Sequence, residues 1–193
     1  MDDSDFSRFL QGMREFNAVD PIGSLYENSF RKKDKPTWVG QVERSEKTEL
    51  LVSFVCYCLN PNHYHFILEQ KTEKGIEKFM HRIGCGYTNY FNLNYERSGA
   101  LFQGKYKAIH VDSNEYLLHL SAYVNLNDKV HQLGSRASKL SSWQEYVDEK
   151  AKSFCKKDII LEQFKNSYEY KKFAQDSLED IKNRKKIGPY LLE

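Results

Sequence analysis

The chain has 193 residues, of which 40% are hydrophobic, and its 29 lysines and arginines nearly balance its 27 aspartates and glutamates. A hydrophobic fraction of this size is enough for a packed core and excludes a wholly disordered chain. The longest apolar run, residues 50–59, has about half the length that a transmembrane helix needs, and the acidic N-terminus lacks the apolar stretch of a secretory signal. We therefore expect a cytoplasmic protein with no membrane partner.

The four cysteines do not follow a metal-binding or disulfide spacing. Cys56 and Cys58 lie two residues apart inside the apolar run, and Cys85 and Cys155 stand alone. Structural zinc sites use Cys pairs or Cys and His pairs at short regular spacings, and the chain has none of these. The cysteines are therefore expected to be buried thiols in a reducing compartment.

The first predicted element is an amphipathic helix over residues 4–17, where aromatic and aliphatic residues recur at helical spacing. Ser4 is its expected N-cap. A loop follows, and it carries a basic cluster that is typical of a solvated surface and compatible with phosphate contact. The cluster consists of Arg31, Lys32, Lys33 and Lys35. A short strand is predicted over residues 37–42.

A β-hairpin is the clearest prediction in the chain. Its first strand covers residues 49–59, and apolar residues on both of its faces indicate that the strand is covered on both sides. Asn60, Pro61 and Asn62 form a turn signal. The second strand runs over residues 63–69, and its residues alternate between two faces.

Beyond the hairpin the pattern alternates between helices and one further strand. It predicts a helix over residues 75–93, a strand interrupted by Gly104 over residues 101–111, and a helix over residues 115–127. Residues 112–115 have the composition of an N-cap followed by an acid in the first turn.

The C-terminal part follows a Gly- and Ser-rich stretch near residues 134–142 and is predicted to be helical over residues 159–164 and 168–186. No internal repeat or low-complexity tract interrupts the order of elements. This order predicts an α+β fold in which helices cover one face of an antiparallel sheet, followed by a helical tail.

Two histidines of the hairpin are candidate metal ligands. His63 and His65 are two residues apart on a predicted strand, so both imidazoles project from the same face. Two imidazole nitrogens and an oxygen donor suit a divalent metal ion. Taken alone, the same spacing also occurs in histidines that only pack or face solvent.

The helix that follows the last strand offers a nucleophile and an oxygen donor. Tyr123 and Asn127 are four residues apart and therefore share a helical face. A tyrosine hydroxyl can form a covalent intermediate, and an asparagine carbonyl can complete a metal site. The alternative is a partly buried tyrosine and an asparagine that caps the end of the helix.

Three blocks of sequence resemble those of a known family. Residues 56–68, CYCLNPNHYHFIL, resemble the metal-binding signature of the single-tyrosine HUH transposases, and more narrowly that of the REP-associated tyrosine transposases, which are relatives of the smallest insertion-sequence transposases. Residues 98–108, SGALFQGKYKA, resemble the second block of this family. Residues 114–127, NEYLLHLSAYVNLN, resemble the block that carries the nucleophile, and the blocks occur in the family order.

The resemblance implies a DNA transposition enzyme that cleaves and rejoins single-stranded DNA. His63 and His65 would bind Mg²⁺ or Mn²⁺ together with Asn127, and Tyr123 would attack the scissile phosphate to give a 5′-phosphotyrosine and a free 3′-hydroxyl. It also implies a ferredoxin-like sheet, a hairpin-forming DNA partner and a monomeric or homodimeric enzyme. The DNA contacts expected around the second block are Arg97, Gln103, Lys105 and Lys107.

The chain departs from the family pattern at two places. Asp128 follows Asn127 where relatives usually have proline, which places another carboxylate next to the proposed ligand. Relatives begin with a strand before the first helix, whereas this chain starts at that helix, and residues 37–42 are the visible substitute. We therefore expect residues 1–130 to be an N-terminally truncated catalytic domain and residues 131–193 to be a linker and a helical extension.

Two other functions are compatible with the same residues. The first is a catalytically inactive remnant of such a transposase that binds single-stranded DNA, which the absent first strand favours. The second is an unrelated metal hydrolase that activates water at the His pair and needs a carboxylate nearby. Glu69 is on the same strand face but lies farther along the strand. A covalent protein–DNA adduct that depends on Tyr123 distinguishes the transposase from both.

Overall fold

The computed structural model describes residues 2–26, 49–130 and 140–187. Its helices and strands are α1 Asp3–Glu15, β1 Val52–Leu59, β2 Tyr64–Gln70, α2 Gly75–Asn94, α3 Asn114–Asn125, α4 Asn127–Val130, α5 Trp143–Val147, α6 Asp158–Leu161 and α7 Ser167–Ile187. This part of the chain is an α+β fold, as the order of elements predicts. The strand predicted over residues 37–42 and the basic cluster of residues 31–35 lie outside the described residues.

Side-chain caps begin helices α1 and α3. Ser4 does not cap α1; instead the Asp2 carboxylate accepts hydrogen bonds from the backbone N–H groups of Ser4 at 2.9 Å and Asp5 at 3.0 Å. The Asp5 carboxylate accepts in return from the Asp2 N–H at 2.9 Å, which completes a capping box. Aspartate is favoured here because its charge also interacts with the helix dipole. The cap of α3 lies within the predicted residues 112–115, since Ser113 Oγ accepts from the Tyr116 N–H at 3.2 Å.

The predicted hairpin is present in the structure. Strands β1 and β2 form a two-stranded antiparallel sheet within the described residues, and a hydrogen bond from the Asn60 N–H to the His63 carbonyl at 2.8 Å closes the turn. Every residue of β1 except Ser53 is buried, in agreement with the apolar composition of both faces. Strand β2 is less buried, and Ile67 is its most buried residue.

The edge of β1 that faces away from β2 is covered by C-terminal residues that the sequence pattern did not place there. The Ser142 N–H donates to the Tyr57 carbonyl at 3.0 Å, and Ser142 Oγ accepts from the Tyr57 N–H at 2.9 Å. The Tyr146 hydroxyl, on α5, donates to the Val55 carbonyl at 2.8 Å. Within the described residues, backbone groups of β1 thus find partners in residues that do not form a regular strand.

The strand predicted over residues 101–111 is wrong, because these residues form bends and irregular backbone. Gly104 has a φ of +90°, which takes the chain out of the extended conformation in the middle of the segment. Residues 103–110 are all exposed, so the segment does not bury one face against a sheet. Alternating apolar residues form a strand only where a partner covers one face.

The helix predicted over residues 115–127 is interrupted near its end. Helix α3 ends at Asn125, because Leu126 adopts a φ of −111° and a ψ of 18°. Helix α4 then starts at Asn127. Tyr123 and Asn127 therefore lie on two helices that meet at Leu126, and not on one continuous helical face.

The chain divides into two compact units, each with its own core. The first unit comprises Met1–Val52 and Gln70–Ala108; it packs α1 against α2, and its buried residues include Phe9, Met13, Phe79 and Ile83. The second unit comprises Ser53–Glu69 and Ile109–Glu193; it packs α3 and α5 against α7, and its buried residues include Val55, Leu126, Tyr146, Ile160 and Tyr170. The residues predicted to bind metal or attack DNA all lie in the second unit.

Candidate active site

The turn of the hairpin and the start of β2 place the two histidines side by side. His63 is the last residue of the turn, and His65 is the second residue of β2. Their ring centroids are 5.0 Å apart, and the ring planes are inclined at 83°. The structure therefore brings the two imidazoles together, as their spacing on a strand predicts.

A buried amide joins His63 to Asn127. The Nδ2 atom of Asn60 lies 2.8 Å from His63 Nε2 and donates a hydrogen bond to Asn127 Oδ1 at 2.7 Å. Asn60 and Asn127 are both buried. Because the two contacts share one nitrogen atom, the imidazole nitrogen and the amide oxygen converge on a single point in the second unit.

The hydrogen-bond partners of His63 determine its tautomer. His63 Nδ1 lies 2.7 Å from Asn62 Oδ1, which can only accept a hydrogen bond. The proton of the neutral ring is therefore on Nδ1, and the lone pair of Nε2 is directed toward Asn60. Histidines that bind metals usually have this arrangement, in which the second ring nitrogen donates to an oxygen.

Tyr123 lies beside the other histidine. Its ring centroid is 5.7 Å from that of His65, at an interplanar angle of 72°. The side chain is half-buried and packs against the core of the second unit. The four residues predicted from the sequence are thus linked by ring contacts and by the Asn60 amide, with His65 next to Tyr123 and His63 near Asn127.

Buried polar side chains anchor the end of α3, just before Asn127. Asn125 Nδ2 donates to the Tyr170 hydroxyl at 2.9 Å, and Asn125 Oδ1 accepts from the Ser142 hydroxyl. The Ser141 hydroxyl donates to the Asn125 carbonyl at 3.1 Å. The sequence does not reveal these contacts, because the partners are distant from one another in it and none is part of a short motif.

Asp128, which follows Asn127 in the sequence, is also buried. Burial raises the pKa of its carboxyl group above the ordinary value. Burial, followed by the charge of Asp128, raises the pKa of the nearby Cys58 thiol to about 12. Cys58 is therefore a neutral thiol at physiological pH, as expected for a packing residue.

Within the described residues, no group of three or more His, Cys, Asp or Glu side chains could hold a metal ion. Glu69 forms an ion pair with Lys156 at 3.3 Å. The amides of Asn60 and Asn62 contact His63, and the amide of Asn127 contacts Asn60.

The residues predicted to contact DNA lie in the first unit, on the irregular segment after α2. All four are exposed, and they are Arg97, Gln103, Lys105 and Lys107. The Arg97 guanidinium lies over the Phe91 ring at 5.6 Å, and Tyr95 packs on the same ring with centroids 4.4 Å apart. This surface combines positive charge with aromatic rings, which are the two features that bind single-stranded nucleic acids.

Residues 26–127 match the family model of IS200-like transposases. The match covers more than half of the chain and includes both histidines, Tyr123 and Asn127. The chain belongs to the IS200-like transposase family. No curated protein and no solved structure matches it.

Membership of the IS200-like transposase family confirms the family predicted from the three sequence blocks and assigns the chain to a class that acts on DNA in transposition. The match ends at Asn127, so the C-terminal segment that covers the edge of β1 lies beyond it. Among the residues that the structure describes, no helix has the length and apolar character needed to cross a membrane.

Proposed function

We propose that this IS200-like transposase cleaves and rejoins single-stranded DNA, with Tyr123 as the nucleophile and with Mg²⁺ or Mn²⁺ held by His63, His65 and Asn127. The observation that supports this proposal best is the convergence of His63 Nε2 and Asn127 Oδ1 on the Asn60 nitrogen. Two acceptor atoms brought this close together form an arrangement that a positive charge beside them stabilises, and in this structure the polarised N–H₂ group of Asn60 has that role.

The residues form a mixed set of divalent-metal ligands. The amide oxygen suits Mg²⁺ and Mn²⁺, whereas imidazole nitrogen is a softer ligand that first-row transition metals bind more readily than Mg²⁺ does, and neutral ligands leave the ion its full charge. The hydrogen bond from His63 Nδ1 to Asn62 fixes the tautomer that a ligand needs. A bound ion would polarise a non-bridging oxygen of the scissile phosphate.

Tyr123 would supply the covalent chemistry. Its hydroxyl oxygen forms a bond to phosphorus while the bond between phosphorus and the 3′-oxygen breaks. The phenol proton is lost to solvent, and the departing oxygen takes up a proton to become a 3′-hydroxyl. Because the phosphotyrosine is itself a phosphodiester, attack by a 3′-hydroxyl rejoins the strand without an external energy source.

We propose that residues 1–130 carry the catalytic residues and that residues 131–193 support them. The contacts of Ser142 and Tyr170 with Asn125 favour this division of roles, because they hold the helix end that precedes Asn127. The exposed segment with Arg97, Lys105 and Lys107 would contact the phosphates of a hairpin-forming single strand.

The decisive experiment is a denaturing gel that detects a covalent adduct between the full chain and labelled single-stranded DNA in the presence of Mn²⁺. We expect an adduct with the wild-type chain and none with Tyr123→Phe, which loses only the hydroxyl and retains DNA binding. Tyr116→Phe, on the same helix, is the matched control and keeps the adduct. DNA binding without any adduct would identify the chain as an inactive remnant, and cleavage that survives in Tyr123→Phe would indicate water-mediated hydrolysis.

The metal requirement is tested with the same assay. His63→Ala should lose the adduct through loss of metal affinity, and a raised Mn²⁺ concentration should restore it in part. A His63→Ala chain that is unfolded by circular dichroism would instead show that this histidine has a packing role.

A further inference from the structure

Asn60 occupies the position on which two proposed metal ligands converge, although the sequence pattern predicts only a turn there. Its side chain is 3% exposed. Its Nδ2 atom lies 2.8 Å from His63 Nε2 and 2.7 Å from Asn127 Oδ1, while its Oδ1 atom faces the Cys58 sulfur at 3.6 Å. The nitrogen end of the amide thus faces the candidate site, and the oxygen end faces a weak donor.

The observed hydrogen bonds do not satisfy all of the buried amides. Asn127 Nδ2 is buried and has no hydrogen-bond partner within the described residues. A site built only to hold two asparagines and a histidine by hydrogen bonds would pair this nitrogen as well. The arrangement is better explained if the oxygen of Asn127 must face the candidate site.

The two distances around Asn60 also suit a cation site. Neighbouring ligand atoms in an octahedral site with bonds of 2.0–2.1 Å are about 3 Å apart. The Nδ2 atom of Asn60, which faces the site, lies 2.8 Å from His63 Nε2 and 2.7 Å from Asn127 Oδ1. A half-turn of the amide about its Cβ–Cγ bond exchanges nitrogen and oxygen and leaves the rest of the residue in place.

The charge at the site decides which end of the amide faces it. Without a cation, an Asn60 oxygen that faced the site would lie against two other hydrogen-bond acceptors, His63 Nε2 and Asn127 Oδ1. The amide nitrogen is therefore favoured at this position. With a cation, the oxygen is attracted and the outward N–H₂ can point to the Cys58 sulfur, which is a weak acceptor.

We infer that Asn60 is an additional residue of the metal site, and that its amide presents nitrogen to His63 and Asn127 in the metal-free protein and oxygen to the ion when an ion binds. This inference rests on the proposed metal site of the transposase. Before metal binding, the Asn60 amide forms hydrogen bonds with His63 and Asn127. After metal binding, its oxygen contributes to the affinity of the site for the ion.

The test uses Mn²⁺ alone as the probe and the full chain without DNA, with free Mn²⁺ measured by electron paramagnetic resonance. We expect Asn60→Ala to weaken Mn²⁺ binding about tenfold or more. Asn60→Asp keeps an oxygen in place, adds a charge and lacks the N–H₂ group, so it should bind Mn²⁺ more tightly than the wild type. The exposed Asn94→Ala is the matched control and should bind as the wild type does.

Thermal melting gives a second readout. Without metal, Asn60→Asp should melt below the wild type, because a carboxylate faces two acceptors. Added Mn²⁺ should raise the melting temperature of Asn60→Asp by more than it raises that of the wild type. The reason is that stabilisation by a bound ligand grows with the logarithm of its affinity for the folded protein. A smaller rise in Asn60→Asp than in the wild type would overturn the inference.

The outcomes separate this inference from the proposed function. If His63→Ala loses Mn²⁺ while Asn60→Ala binds it as the wild type does, the inference fails and the proposed metal site stands. If the wild type itself binds no Mn²⁺, both fail.

A further measurement uses the wild-type chain alone. Mg²⁺ should shift the side-chain amide resonances of Asn60 in a ¹⁵N spectrum and speed the exchange of the amide protons. Unchanged resonances would contradict the reversal of the Asn60 amide.

Discussion

Asn125 and Tyr170 are 45 residues apart in the sequence, and the Asn125 amide donates to the Tyr170 hydroxyl at 2.9 Å in the interior of the second unit. The same hydroxyl lies 3.1 Å from Ser121 Oγ. Asn125 is the last residue of α3, two positions before Asn127. The bond therefore ties the C-terminal helix α7 to the point where the backbone turns toward the proposed metal ligand.

We expect Tyr170→Phe to destabilise the protein and to slow adduct formation. The substitution leaves the buried Asn125 nitrogen without its hydroxyl acceptor, and such a loss costs about 1–3 kcal/mol. The melting temperature should fall accordingly, and the rate of the Mn²⁺-dependent adduct should fall with it because Asn127 is held less firmly. Tyr168→Phe, on the same helix and 71% exposed, is the control and should change neither. Equal melting temperatures for both variants would show that the Tyr170 hydroxyl is not needed.

The tautomer of His63 leads to a second prediction. Asn62 is exposed and accepts from His63 Nδ1 at 2.7 Å, so Asn62→Ala should leave stability nearly unchanged. Loss of such a partner typically costs 10-fold to 100-fold in metal affinity, and we expect a decrease of about this size in Mn²⁺ binding. Asn62→Asp keeps the acceptor and should restore the affinity. Wild-type affinity in Asn62→Ala would mean that the turn does not set the tautomer.

Local periodicity was sufficient to predict the hairpin and the main helices. Strand β1 is apolar on both faces and is buried on both. His63 and His65 lie close together as predicted, although His63 is the last residue of the turn and only His65 belongs to β2. The predictions that failed depended on more than the periodicity of apolar residues in the sequence. Helix α1 is capped by Asp2 and not by Ser4, because a negatively charged side chain interacts favourably with the positive end of the helix dipole.

Long-range partners account for the remaining differences. Helix α5 has five residues, which is too short for a periodic signal, and its Tyr146 bonds to a strand about 90 residues away. Residues 101–111 have a strand-like composition, but the left-handed Gly104 and the exposure of the segment leave them irregular. Asn60 was missed because a turn signal does not reveal that the side chain is buried against Asn127.

The exposed lysines of the first unit should contribute to DNA binding through phosphate contacts. We expect Lys105→Ala and Lys107→Ala each to weaken binding of a single-stranded hairpin and to reduce the slope of log affinity against log salt by about 0.7 per lost contact. Lys78→Ala, which is also exposed and lies on α2, is the matched control. Fluorescence anisotropy at several salt concentrations measures the slope. A slope that is the same in all three variants would place the DNA elsewhere.

The position of Tyr123 beside His65 predicts that one chain supplies both the nucleophile and the metal ligands. The ring centroids of the two residues are 5.7 Å apart within a single chain, and His65 is two residues from His63. Mixing Tyr123→Phe with His63→Ala tests this arrangement, because one variant retains the ligands and the other retains the nucleophile. If the site is formed within one chain, the mixture should give no adduct at a Mn²⁺ concentration at which each variant alone is inactive. If a homodimer exchanges its helices, the mixture should recover up to about a quarter of the wild-type adduct, since random pairing of equal amounts makes half of the dimers mixed and each mixed dimer has one intact site of two.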